Sequence, residues 1–158
     1  MQRFREAFPI EAIQSDLSST SQDNVRILQV DDDVLFLDDL TPFYATQFFE
    51  LPDNWDILYL GVSPREPQER YSKHLFRIRN AVCMHAYAMN NNNGCVDFVL
   101  EHRQEIVKID DFFAKVVQPK FNCFMIYPIL ATQFQFQSDT CKRSDVSTIV
   151  KNVEKFCI

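Results

Sequence analysis

Three consecutive carboxylates, Asp31, Asp32 and Asp33, stand at the end of the apolar run 25–30. Such a run reads as a buried strand, and a strand of an α/β sheet carries the residues beyond its end to the edge where these folds keep ligands. Carboxylates crowded together repel one another and stay ionised when a cation or basic group sits among them. In extended backbone the side chains at i and i+2 share a face, which pairs Asp31 with Asp33 and turns Asp32 away. Two hard oxygen ligands on one face suit Mg²⁺ or Mn²⁺, with a substrate diphosphate completing the shell. The plain alternative is a polar turn that closes a strand.

The elements that must position these groups can be read in order. Residues 1–24 form an amino-terminal segment ending in a polar linker, and residues 25–158 form the α/β domain. After the acidic cluster, Thr41 and Pro42 carry the N-cap and first-turn signature of a helix with Tyr44, Phe48 and Leu51 inward, stopped by Pro52. Residues 55–60 read as a second buried strand closed by Gly61. The stretch 62–80, with Pro64, Pro67, Arg65, Arg70, Lys73, Arg77 and Arg79, reads as an irregular basic loop, either solvated or turned toward an anionic ligand. Residues 81–89 alternate as a strand with Cys83, His85, Tyr87 and Met89 on one face, followed by an Asn90–Asn93 turn that caps a helix. A short helix opens at Ile109 with Phe113, Val116 and Val117 inward and stops at Pro119. Strands over 121–127 and 128–136 follow, and Val146, Ile149, Val150 and Val153 have the spacing of a closing helix. Strands alternating with helices predict an α/β fold with a mixed sheet.

Composition narrows the function classes. In 158 residues the net charge is −6, which argues against a protein that binds by neutralising a nucleic-acid backbone. No apolar stretch reaches the length of a membrane span, and the amino terminus lacks a secretory signal pattern, so the expectation is a soluble, cytoplasmic protein. The 5 cysteines contain no C-x-x-C pair and read as small buried hydrophobes. With only 2 glycines, Gly61 and Gly94, neither a G-x-G-x-x-G loop nor a P-loop is present, and phosphate recognition would run through metal or side chains.

Several segments resemble glycosyltransferase family 25, the lipooligosaccharide and procollagen galactosyltransferases. They are residues 27–34 (ILQVDDDV), 51–61 (LPDNWDILYLG), 85–87 (HAY), 109–112 (IDDF), 127–133 (YPILATQ) and Ser138 with Asp139. The resemblance implies a GT-A type nucleotide-binding fold, a uridine-diphosphate sugar as donor and Mn²⁺ (or Mg²⁺) held by the acidic motif. By position, Asp31 and Asp33 would hold the metal, Asp32 would support the ribose or the sugar, and Asp139 would be a late ligand or acceptor contact. Asp31 replaces the glutamate usual at its place, and its shorter reach alters the relative ligand roles. The metal would neutralise the diphosphate that leaves with the nucleotide. The family is described as inverting, which requires a base for the acceptor hydroxyl; Asp110 and Asp111 are the candidates, with helix capping as their alternative role. His85 either faces the donor or is a satisfied histidine on a sheet face. Only 24 residues precede the acidic strand, so the expectation is a domain shortened at its amino terminus.

The implied function is hexosyl transfer, of galactose or glucose, from a UDP-sugar to a saccharide or hydroxylated protein acceptor. A non-catalytic interaction domain, self-associated or covered by a missing amino-terminal half, is the rival, since 15 phenylalanines would leave apolar surface for a partner. A response-regulator receiver fits less well: Asp56 begins its strand, and Lys120 follows Pro119 where a receiver needs the reverse order.

Overall fold

The computed structural model describes residues 26–31, 33–37, 50–133 and 146–157. Within these, eight strands form two sheets: β1 (Arg26–Val30), β2 (Val34–Phe36), β3 (Ile57–Pro64), β4 (Glu69–Arg70), β5 (Leu75–Arg77), β6 (Ala81–Asn90), β7 (Cys123–Ile126) and β8 (Ala131–Gln133). The larger sheet has the order β1-β6-β3-β7-β5-β4, and β2 pairs with β8 in a separate ribbon. β3 and β7 run parallel while the other pairs are antiparallel, so the sheet is mixed. The helices are α1 (Cys95–Glu101), α2 (Ile109–Phe112), a π-helical segment Phe113–Val117, α3 (Gln118–Lys120) and α4 (Val146–Phe156). The fold is α/β with a mixed sheet flanked by helices, as the alternation of elements predicts.

Strand alternation explains the core. In β3, Ile57 and Tyr59 enter one apolar cluster, while Leu58 and Leu60 enter another on the opposite face. Cys123 and Met125 of β7 divide from Phe124 and Ile126 in the same way, as period-two geometry requires. The first face packs against Phe113 and Val117 of the π segment and Ile149 and Val153 of α4. The second packs against Leu130, Ala131 and the ribbon residues Val34 and Phe36. A sheet covered on both faces reads as continuous apolar sequence, which is why residues 57–64 are buried throughout.

Four expectations need correction. The run 25–30 is not a buried central strand: β1 is an edge strand, and Leu28 is 53% exposed. Residues 62–80 are not an irregular loop, because Leu75, Phe76 and Ile78 are fully buried and β5 pairs with β7. Gly61 lies inside β3 and does not close it. Val116 turns outward at 38% exposure, while Ala114 and Gln118 turn in, because the wider π turn rotates the buried stripe. Of the helix expected from Thr41 to Leu51, residues 41–49 lie outside the described residues, as do Asp32, Asp139 and Cys141.

Elsewhere local chemistry matches the sequence reading. The Asn91 side-chain carbonyl accepts the Val96 and Asp97 backbone N–H groups at 3.0 and 3.3 Å, capping α1. Gln118 is wholly buried and anchors the helical segment to the sheet: its amide nitrogen donates to the Tyr59 hydroxyl at 3.1 Å and the Ala81 carbonyl at 3.0 Å, and its oxygen accepts the Ala81 N–H at 2.8 Å. Cys95, Cys123 and Cys157 are buried, and burial pushes their thiols up, to about 12 for Cys95 and about 11 for Cys157.

Candidate functional site

β1 and β3 are both antiparallel to β6 and so run in the same direction. Asp31, directly after β1, therefore emerges toward the carboxyl end of β3, the side where open α/β sheets collect ligands. The backbone there is a turn rather than extended chain, with the Val34 N–H donating to the Asp31 carbonyl at 3.4 Å. The shared-face reasoning for Asp31 and Asp33 thus does not apply, and the plain alternative of a strand-closing turn describes the backbone correctly.

The hub is a bulge in β6. Ser63 pairs with Val82 and Gly61 with Ala86, so Cys83, Met84 and His85 together stand opposite Val62. Residues released from a ladder can turn their backbone groups to new partners. The Met84 N–H donates to Asp110 Oδ1 at 3.4 Å, and the His85 carbonyl accepts the Asp31 N–H at 2.9 Å. The first contact ties α2 to the bulge, and the second continues the β1–β6 register by one residue, so both fall on the same stretch of β6.

The His85 ring is fully buried and donates through Nε2 to the Ala131 carbonyl at 3.1 Å, which leaves Nδ1 as the lone-pair nitrogen. Burial holds this imidazole below the usual histidine range, against the opposing pull of the Ala131 and Cys83 carbonyls and of the Asp33 and Asp110 carboxylates. Gly61 makes the arrangement possible. A Cβ there would lie 1.9 Å from the Ala131 oxygen and 2.6 Å from His85 Nε2. On the neighbouring face Tyr87 is pushed up to about 12 by burial first, then by Asp31 and Asp110. Asp31, Asp33 and Asp110 thus all stand close enough to the 85–87 stretch for their charges to act on it.

Asp33 is half-buried, and among the described residues its side chain meets the Gln133 amide, 3.4 and 3.5 Å from its two oxygens. Asp111 faces another way. It pairs with Arg65 at 3.4 Å and Lys115 at 3.8 Å, beside a hollow of about 270 Å³ lined by Val107, Lys108, Phe112 and Val116. Successive helical residues point about 100° apart, so α2 offers Asp110 to the sheet and Asp111 to the hollow.

No family model matches this chain, and no curated protein does either.

The geometry sorts the expected residues. Asp31 through its backbone and Asp110 through its carboxylate meet the Met84–His85 stretch of the β6 bulge, while Asp33 lies against Gln133 of β8. His85 is a satisfied histidine on the Nε2 side, as its alternative reading held, and the charges of Asp33 and Asp110 act on its ring. Asp110 and Asp111 do stand in the first turn of a helix, but Asp110 accepts from Met84 of the sheet and Asp111 pairs with two cations. Asp32 and Asp139 cannot be placed, lying outside the described residues. The basic stretch behaves mostly as structure: Arg77 donates to Asn122, Arg79 to the Pro119 carbonyl, and Arg70 lies over the Phe76 ring, leaving Arg65 beside Asp111. Sequence reasoning missed Gly61, Cys83 and the Ala131 carbonyl; being one of two glycines in the chain was the signal for the first.

As a test of metal fit, no three His, Cys, Asp or Glu side chains among the described residues are grouped to hold an ion. The donors present are carboxylate oxygens, with Asp33 engaged by one long amide contact. Carboxylate oxygens are the hard donors that Mg²⁺ or Mn²⁺ takes, commonly one or two from the protein with water and substrate phosphate filling the shell. No helix among the described residues is long and apolar enough to cross a membrane.

Proposed function

We propose that this chain is a metal-dependent glycosyltransferase of GT-A type, moving a hexose from a UDP-sugar to a saccharide or hydroxylated acceptor. The observation that supports it is that the Asp31 backbone, at the end of β1, and the Asp110 carboxylate of α2 both bond the Met84–His85 stretch of β6, with Asp33 in the same turn as Asp31. A bound Mn²⁺ or Mg²⁺ supplies charge neutralisation for the leaving diphosphate. Asp31 and Asp33 would hold that ion, and Asp32 would support the ribose or the sugar. Asp110, fixed by the Met84 N–H, receives the acceptor hydroxyl proton. His85, neutral and clamped, keeps β6 and β8 in register behind the carboxylates.

A thermal-shift series tests this. Mn²⁺ with UDP raises the melting temperature of the wild type by mass action, and Asp33→Ala abolishes that rise without lowering the melting temperature of the ligand-free protein. An equal shift in Asp33→Ala removes the metal assignment, and no shift in the wild type favours the non-catalytic interaction domain.

A further inference from the structure

Cys83 has φ 60°, the left-handed region where residues other than glycine, asparagine and aspartate are uncommon. It opens the β6 bulge, and the two residues after it make the contacts that unite the candidate site. Met84 sends its N–H to Asp110, and His85 turns its carbonyl to the Asp31 N–H. The Cys83 side chain is half-buried and packs against the larger apolar cluster, so the residue is small enough for the left-handed turn and apolar enough to pin it. A glycine would give the same φ without that anchor. We propose that Cys83 is a positioning residue, whose left-handed backbone holds the β6 bulge and thereby fixes Asp110 of α2 and Asp31 beyond β1 relative to each other.

The discriminating change is Cys83→Val, close in size but β-branched, for which φ near +60° is a strong outlier. Cys83→Gly and Cys83→Asn keep the turn accessible. The first readout is the amide ¹H–¹⁵N spectrum, which needs neither metal nor substrate. In Cys83→Val the Met84 and Asp31 amides move together while those of α4 stay in place, and in Cys83→Gly and Cys83→Asn both keep their wild-type positions. Of these two amides, Asp110→Asn moves that of Met84 and leaves that of Asp31 in place. The second readout rests on the transferase reading: UDP released from UDP-galactose with Mn²⁺ and free galactose. There kcat falls at least about tenfold in Cys83→Val, since a displacement of about 1 Å at a reacting group can cost about 100-fold, and Cys83→Gly restores it to within about twofold of wild type.

The proposal is overturned if Cys83→Val folds with the Met84 and Asp31 amides unmoved, or if Cys83→Gly disturbs them as much as Val does. Should Cys83→Val fail to fold, the Gly and Asn variants decide: both amides at wild-type positions support the proposal and both displaced overturn it. If the wild type releases no UDP, the transferase reading fails while the amide spectra still decide the role of Cys83.

Discussion

Replacing Gly61 by alanine perturbs the site through one methyl group. The new Cβ would sit 1.9 Å from the Ala131 carbonyl oxygen, 2.8 Å from its carbon and 2.6 Å from His85 Nε2. The first two are backbone atoms of β8, and the third belongs to a fully buried ring, so no flexible side-chain end can yield. Overpacking of a filled interior costs about 1–3 kcal/mol. The His85 Nε2–H also loses its acceptor, and a buried donor left unsatisfied costs about 1–3 kcal/mol. The sum, about 2–6 kcal/mol, is a large part of the 5–15 kcal/mol of stability typical of a folded protein, given roughly. Urea unfolding reads it as a lower midpoint at unchanged slope. Gly94→Ala is the control: nothing lies within 4 Å of its Cβ, and its φ of 72° alone sets a cost of about 1–2 kcal/mol. A Gly61→Ala loss no larger than that of Gly94→Ala would refute the close approach of β3, β8 and His85.

Gln118→Leu strands the Ala81 N–H and carbonyl in the interior and takes a donor from the Tyr59 hydroxyl; a loss of about 3 kcal/mol or more is expected by chemical denaturation, and less than about 1 kcal/mol would mean the side chain is not anchored as described. Because burial holds the folded-state pKa of His85 below the ordinary value of about 6.5, the unfolded chain binds the proton first. The stability this contributes is complete above about pH 6.5 and declines as pH falls from there through the folded-state value. Melting temperatures between pH 8 and 5 should drop in the wild type and drop less in His85→Gln, whereas parallel curves would contradict a neutral buried ring. Glu50 lies below the usual carboxylate value, held by hydrogen bonds from Ser72 and His74 against burial, and adds its own loss only at lower pH, below about 4.5.

Much of the fold is legible because residues 57–64 and 123–126 are buried on both faces and so spell continuous apolar runs. The closing helix is equally plain from Ile149 and Val153. β5 escapes notice because its three residues end in Arg77 and lie in a stretch of basic side chains, whose charged heads reach Asn122, a backbone carbonyl and an aromatic face. β1 misleads in the opposite sense: Ile27, Leu28 and Val30 look like core residues yet occupy the sheet edge. At the site, the acidic residues announce themselves by type, but their meeting point does not. It depends on a bulge that begins at a cysteine rather than a glycine, and on a glycine valued for the room it leaves. Neither condition is visible without the partner strands.

The central claim, that Asp31 and Asp33 hold one divalent ion close to the Met84–Tyr87 stretch and Asp110, is tested most directly by paramagnetic broadening of the amide spectrum on adding Mn²⁺ with UDP. Loss of signal centred on residues 31–33, 84–87 and 110, and relieved by Asp33→Ala, is the predicted result. Broadening centred elsewhere, or spread evenly over the surface acids, would contradict it.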